Sequence, residues 1–106
     1  MDAKRKLKWT LTAIKQRNAT FDYWNLRNKN NLYSKKLNHN IKLRTSLLKI
    51  YPELGIETIF LNTRVLYFSY FSILYQFSEN QILVTGFWDN RQEPSKLLEH
   101  LKNKQA

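Results

Sequence analysis

Residues 86 to 94 read GFWDNRQEP and gather an indole, a carboxylate, an amide and an arginine at the end of an apolar run. Arg91 has the donor geometry to hold a phosphate or carboxylate through two parallel N–H groups. Asp89 could orient that guanidinium, and Trp88 could stack on a base or anchor a partner. Phe87, Asn90 and Gln92 complete the cluster. The same residues also suit a plain turn, with Asp89 and Asn90 closing it and Arg91 pairing with Asp89 to fasten the strand. A second arginine, Arg64, stands alone in the otherwise apolar TRVLYF. If its strand adjoins the one ending at Trp88, Arg64 and Arg91 could present two guanidiniums to one anion. The alternative is an Arg64 that pairs with Glu53 or Glu57.

Other chemistries are poorly provided for. His39 and His100 are the only histidines, and neither has a carboxylate or histidine at ligand spacing. No metal or cofactor is expected. The two glycines, Gly55 and Gly86, cannot form a glycine-rich phosphate loop. With no cysteine there is neither a disulfide framework nor a thiolate ligand, and the charged MDAKRKLKW start lacks an apolar signal core. A cytoplasmic protein is expected. The longest uncharged run, Val65 to Ser78, is too short to span a bilayer as a helix.

A cluster of this kind has to be held by a core. The 106 residues supply one domain, 1–106, of 42% apolar and 14% aromatic residues, a composition that folds despite a net charge of +10. Residues 1 to 51 hold 13 Lys/Arg against 2 Asp/Glu, whereas residues 52 to 106 hold 5 against 6. The basic half points to a polyanionic or acidic partner.

Alternation in RKLKW, residues 5 to 9, predicts a short strand with Leu7 and Trp9 inward. Thr10 or Thr12 can cap a first helix whose apolar stripe Leu11, Ile14, Phe21 and Trp24 runs to the NKNN break at 28 to 31. Tyr33, Leu37, Ile41, Leu48 and Tyr51, with Leu47 beside them, predict a second helix, stopped by Pro52 and a left-handed Gly55 in YPELG. TRVLYF, FSILYQF and ILVTGFW then predict three strands in a meander, with Gly86 marking a bulge or a close backbone approach. Pro94 ends that run, and SKLLEHLK can close as a short helix capped by Ser95. The expected class is α+β: a small antiparallel sheet in the order β-α-α-β-β-β on a helical hairpin. Apolar residues occupy both alternating sets of the last three strands, so a partner is expected on the second sheet face unless ETIFL and KLLEHL fold over it.

The order of elements and several motifs resemble the RelE/ParE superfamily of toxins from bacterial type II toxin–antitoxin systems. The resemblance covers nearly the whole chain: W-T-x-x-A at Trp9, Thr10 and Ala13, FDYWNLRN from Phe21 to Asn28, YSKKLN from Tyr33 to Asn38, then YPELG, TRVL and FWDNRQEP. It implies a growth inhibitor neutralised in a hetero-oligomer with a small antitoxin, acting either by ribosome-dependent cleavage of messenger RNA or on DNA gyrase. Arg91 falls where the family places a functional arginine after the last strand. Ser72 stands where RelE-like nucleases usually carry an arginine, and no tyrosine follows Tyr75 to take the acid/base role. The rival reading is a basic nucleic-acid-binding protein without toxin activity.

Overall fold

The computed structural model describes residues 5–91. Two helices lie on one face of a five-stranded sheet of order β1-β5-β4-β3-β2. The strands are β1 (Lys6–Trp9), β2 (Ile56–Glu57), β3 (Arg64–Phe68), β4 (Phe71–Phe77) and β5 (Gln81–Asp89), and the helices are α1 (Leu11–Asn28) and α2 (Leu32–Ile50). The α+β class and the helical hairpin agree with the sequence. The sheet is mixed rather than wholly antiparallel, because β1 pairs in parallel with β5, Lys6 opposite Gln81 through Trp9 opposite Val84. The short β2, which apolar alternation is too brief to announce, pairs with β3. The expected closing helix at Ser95, together with Gln92, Pro94, KLLEHL and His100, lies outside the described residues.

Local chemistry sets the boundaries. Thr10 adopts extended backbone and its Oγ1 accepts the Ala13 N–H at 3.1 Å, which satisfies one of the donors a helix start leaves over. Lys29, at φ 57°, turns the chain out of α1, and Ser34 Oγ donates to Asn25 Oδ1 across the hairpin. Pro52–Leu54 form a single 3₁₀ turn that ends α2. Gly55 is not left-handed as expected; its φ is −74°. A side chain is excluded there by crowding, since a Cβ would meet the Tyr75 hydroxyl at 2.6 Å and the Val65 carbonyl at 2.9 Å.

The core is built by alternation. Phe71, Ile73 and Tyr75 of β4 face the helices, as do Val84 and Phe87 of β5 and Phe68 of β3. Ala13, Leu37, Ile41 and Leu48 come down on them. On the second face Val65 and Leu74 are covered by Phe60, so the ETIFL segment closes part of the surface for which a partner was expected. Three members of the expected helical stripes are not inside: Leu11, Leu47 and Tyr51 are exposed.

Candidate functional site

β5 runs five residues beyond its pairing with β1. β1 stops at Trp9, opposite Val84, and α1 then passes beside the remainder of β5. Between Leu74, opposite Gly86, and Tyr75, opposite Val84, the register slips by one residue, leaving Thr85 as the extra residue of a bulge. Gly86 fits there because a Cβ would stand 2.8 Å from Leu74 Cδ1. The bulge turns the Phe87 N–H outward, where Gln16 of α1 accepts it through Oε1 at 2.9 Å. A groove of about 710 Å³ opens between α1 and this strand end, lined among others by Tyr23, Trp24, Arg27, Trp88, Asp89 and Arg91.

Arg91 is held in three ways. Its Nε and Nη2 donate to the two oxygens of Asp89 at 2.9 and 2.7 Å, a side-on bidentate pair. The backbone N–H of Arg91 donates to the same carboxylate at 3.0 Å, so Asp89 both builds the turn and orients the arginine. The guanidinium carbon also lies 4.6 Å from the ring centres of Trp24 and Tyr70, which ties β5 to α1 and to the β3–β4 turn. Asp89 is buried and Arg91 keeps 39% of its side chain exposed. The hydrogen bond to Asp89 first, against partial desolvation, raises the Arg91 pKa above its ordinary range, with a smaller contribution from Tyr33. Its Nη1 stays outside the Asp89 pair.

Arg64 goes elsewhere. Its Nη1 donates to the Gly55 and Glu53 carbonyls at 2.7 and 3.3 Å, and its Nη2 pairs with Glu57 at 3.3 Å. It sits opposite Tyr75, while Asp89 sits opposite Phe71, four residues away along β4 and more than about 13 Å at strand spacing. The two arginines therefore do not converge on one anion; each is fastened to its own end of the sheet. Asn90 is likewise engaged, its N–H donating to the Tyr70 carbonyl and its Oδ1 accepting the buried Ser72 hydroxyl at 2.6 Å. Trp88 is half-buried on the groove, Phe87 is buried in the core, and Gln92 lies outside the described residues.

The cation that shares the groove with Arg91 is Arg27, which the sequence did not single out. Its guanidinium carbon lies 5.7 Å from the Trp24 ring, on the same indole as Arg91, and its Nη1 donates to the Tyr23 hydroxyl at 3.3 Å. The spacing Tyr23, Trp24, Arg27 within FDYWNLRN puts these side chains one helical turn apart, a signal open to inspection. Their meeting with Arg91, 64 positions on, is not. Trp24, expected as a core anchor, is half-buried, and its Nε1 is a buried nitrogen without a hydrogen-bond partner among the described residues. The arrangement can take an acidic or aromatic group: two guanidiniums over one indole, with Trp88 as a second aromatic wall.

Among the described residues there is no group of three His, Cys, Asp or Glu able to hold a metal ion, and no helix long and apolar enough to cross a membrane. No family model matches the chain, and no curated protein matches it. Among solved structures, a chain titled "Chromosomal ParDE TA system from P. aeruginosa" shares the fold at a TM-score of 0.68 and 18% identity, over 79% of this chain and 94% of that one. The fold is therefore ParE-like.

Proposed function

We propose that this chain is the toxin of a type II toxin–antitoxin pair, held inactive by a small antitoxin, and that when free it inhibits growth by gripping a protein target, DNA gyrase being the one the resemblance offers, rather than by cutting messenger RNA. The fold shared with a chain of a ParDE system supports the first half. The state of Arg91 supports the second. Metal-free RNA cleavage needs cations free to neutralise a pentacovalent phosphate and groups free to move protons. Here Arg91 spends two donors on a carboxylate that offsets its charge, the Ser72 hydroxyl is bonded to Asn90, and the Tyr75 hydroxyl is bonded to Pro52 and Gly55. A groove of aromatic walls and clamped arginines is better suited to hold a partner side chain than to run an acid/base reaction.

The test compares the wild-type chain with Arg27→Ala, a substitution at an exposed residue that leaves the fold intact. Expression should arrest growth for the wild type and not for the variant. Purified wild-type protein should block supercoiling by gyrase and leave messages on translating ribosomes uncut, as read by 5′-end mapping. New message ends that disappear in an Arg91→Lys variant would overturn the binding reading in favour of a nuclease. Arg91→Ala is the less clean variant, because it strands the buried Asp89 carboxylate.

A further inference from the structure

The groove between α1 and the end of β5 carries an anion of its own. Of the described residues that line it, Arg27 and Arg91 are positive and Asp89 is negative, which leaves one positive charge in excess. The excess belongs to Arg27, which has no carboxylate at ion-pair distance among the described residues, whereas Arg91 is matched by Asp89. The two oxygens of Asp89 divide their work. Oδ1 accepts the Arg91 backbone N–H at 3.0 Å and so builds the turn, and it also takes Nε at 2.9 Å. Oδ2 has no part in the turn; it accepts Nη2 at 2.7 Å. The turn alone would need one acceptor, and the second oxygen serves the guanidinium.

That contact decides what Arg91 can hold. A guanidinium offers an anion two edges with paired donors, Nε with Nη2 and Nη1 with Nη2. Asp89 fills the first. An anion on the second would share Nη2 with Asp89 and stand beside its charge, and two anions that close repel one another. The faces of the guanidinium are no substitute, because the Trp24 and Tyr70 rings lie over it at 4.6 Å. We propose that Asp89 is a selectivity residue, which by occupying one edge of Arg91 and holding the groove to a single excess positive charge turns phosphate away and leaves Arg27 to take one carboxylate of a protein partner. A nucleic acid brings a row of charges and needs several cations to meet it, whereas a lone carboxylate needs one. Asp89 acts through Arg91 and is a positioning residue in this role. The inference rests on the groove being the binding site proposed above, and it names what that site refuses.

Asp89→Asn separates selectivity from structure. Asparagine keeps an oxygen for the Arg91 backbone N–H and is itself a turn residue, but it removes the charge and faces Nη2 with a donor. The probe is inorganic phosphate, titrated at constant ionic strength into the full chain while the indole N–H signals of Trp24 and Trp88 are followed by NMR, so that the groove is read rather than the lysines of the helices. The wild type should show weak shifts that do not saturate. Asp89→Asn should bind saturably, with a Kd at least about 10-fold lower, the scale of one charge pair, and adding Arg91→Gln should abolish the gain. Loss of the turn would only weaken binding, so a gain is a result that a structural role alone does not produce. Asp89→Ser, whose hydroxyl also serves a turn, should gain in the same direction. Phosphate binding by the wild type as tight as by Asp89→Asn would overturn the proposal, and so would a gain that survives Arg91→Gln, which would reduce it to the change in net charge. Growth arrest and gyrase inhibition by the wild-type chain judge the toxin reading separately, since neither depends on how the variants bind phosphate.

Discussion

Tyr75 is completely buried, and its hydroxyl does the work of a small hinge pin: it donates to the Pro52 carbonyl at 2.6 Å and accepts the Gly55 N–H at 2.8 Å. Tyr75→Phe would leave both backbone groups without a partner and should lower stability by about 1–3 kcal/mol in denaturant titration. Burial raises the phenol above its ordinary value of 10.0, partly opposed by the Gly55 N–H and by Arg64. The unfolded chain then releases this proton at lower pH than the folded chain does. The contribution is whole below pH 10 and declines as pH rises past it, so wild-type stability should fall above pH 10 with a slope that Tyr75→Phe reduces. Asp89→Asn should cost about 1 kcal/mol, because Arg91 is partly exposed and its rings still hold it. Sequence made the cluster around Arg91 visible, along with its two uses, phosphate grip and strand fastener. It also offered the pairing of Arg64 with Glu57 as one of two readings, and that pair forms; it did not show that Asp89 serves both the turn and the clamp, nor that Arg64 reaches the Gly55 carbonyl, because those contacts depend on register.

The helices and the three long strands were legible because each is a periodic pattern within one segment. Thr10 as cap, the break after Asn28 and the stop at Pro52 all follow from local backbone chemistry. Leu47 and Tyr51 were misplaced on the inner stripe because seven-residue steps alone do not separate the two apolar faces of α2. The parallel pairing of β1 with β5 joins segments some 75 positions apart and leaves no trace in either one. That pairing ends at Val84 and hands the rest of β5 to α1, where Gln16 takes the place of a neighbouring strand for the Phe87 N–H. Gln16→Leu should speed hydrogen exchange of the Phe87 amide and cost about 1 kcal/mol, with the other β5 amides little changed. Gly86→Ala should cost about 1–3 kcal/mol by pressing on Leu74, since its backbone angles are ordinary and only space is short.

At the scale of the molecule, charge and topology divide the labour. The helical half carries nearly all the excess positive charge, and the sheet half is close to neutral. Association with an acidic partner should therefore be steered by the helices, and its on-rate should fall as salt is raised, since screening shortens from about 10 Å at 0.1 M to about 3 Å at 1 M. Stopped-flow mixing with an acidic peptide at two salt concentrations measures it. Composition alone made the charge asymmetry legible. The second sheet face was read as a partner's surface unless ETIFL and KLLEHL fold over it, and Phe60 of ETIFL does cover part of it; which of the two holds is not written in the strand residues themselves.

The parallel pair of β1 and β5 also sets an order of events in time. β1 is made first, yet among the described residues its only neighbour in the sheet is the last strand, β5. At roughly 5–20 residues per second, a growing chain waits several seconds between the two, with the helical hairpin complete and the sheet still open. Contacts this far apart in sequence slow folding. The basic helices are thus formed before the groove at the end of β5 exists, so a partner that binds them can engage the growing chain ahead of one that needs the groove.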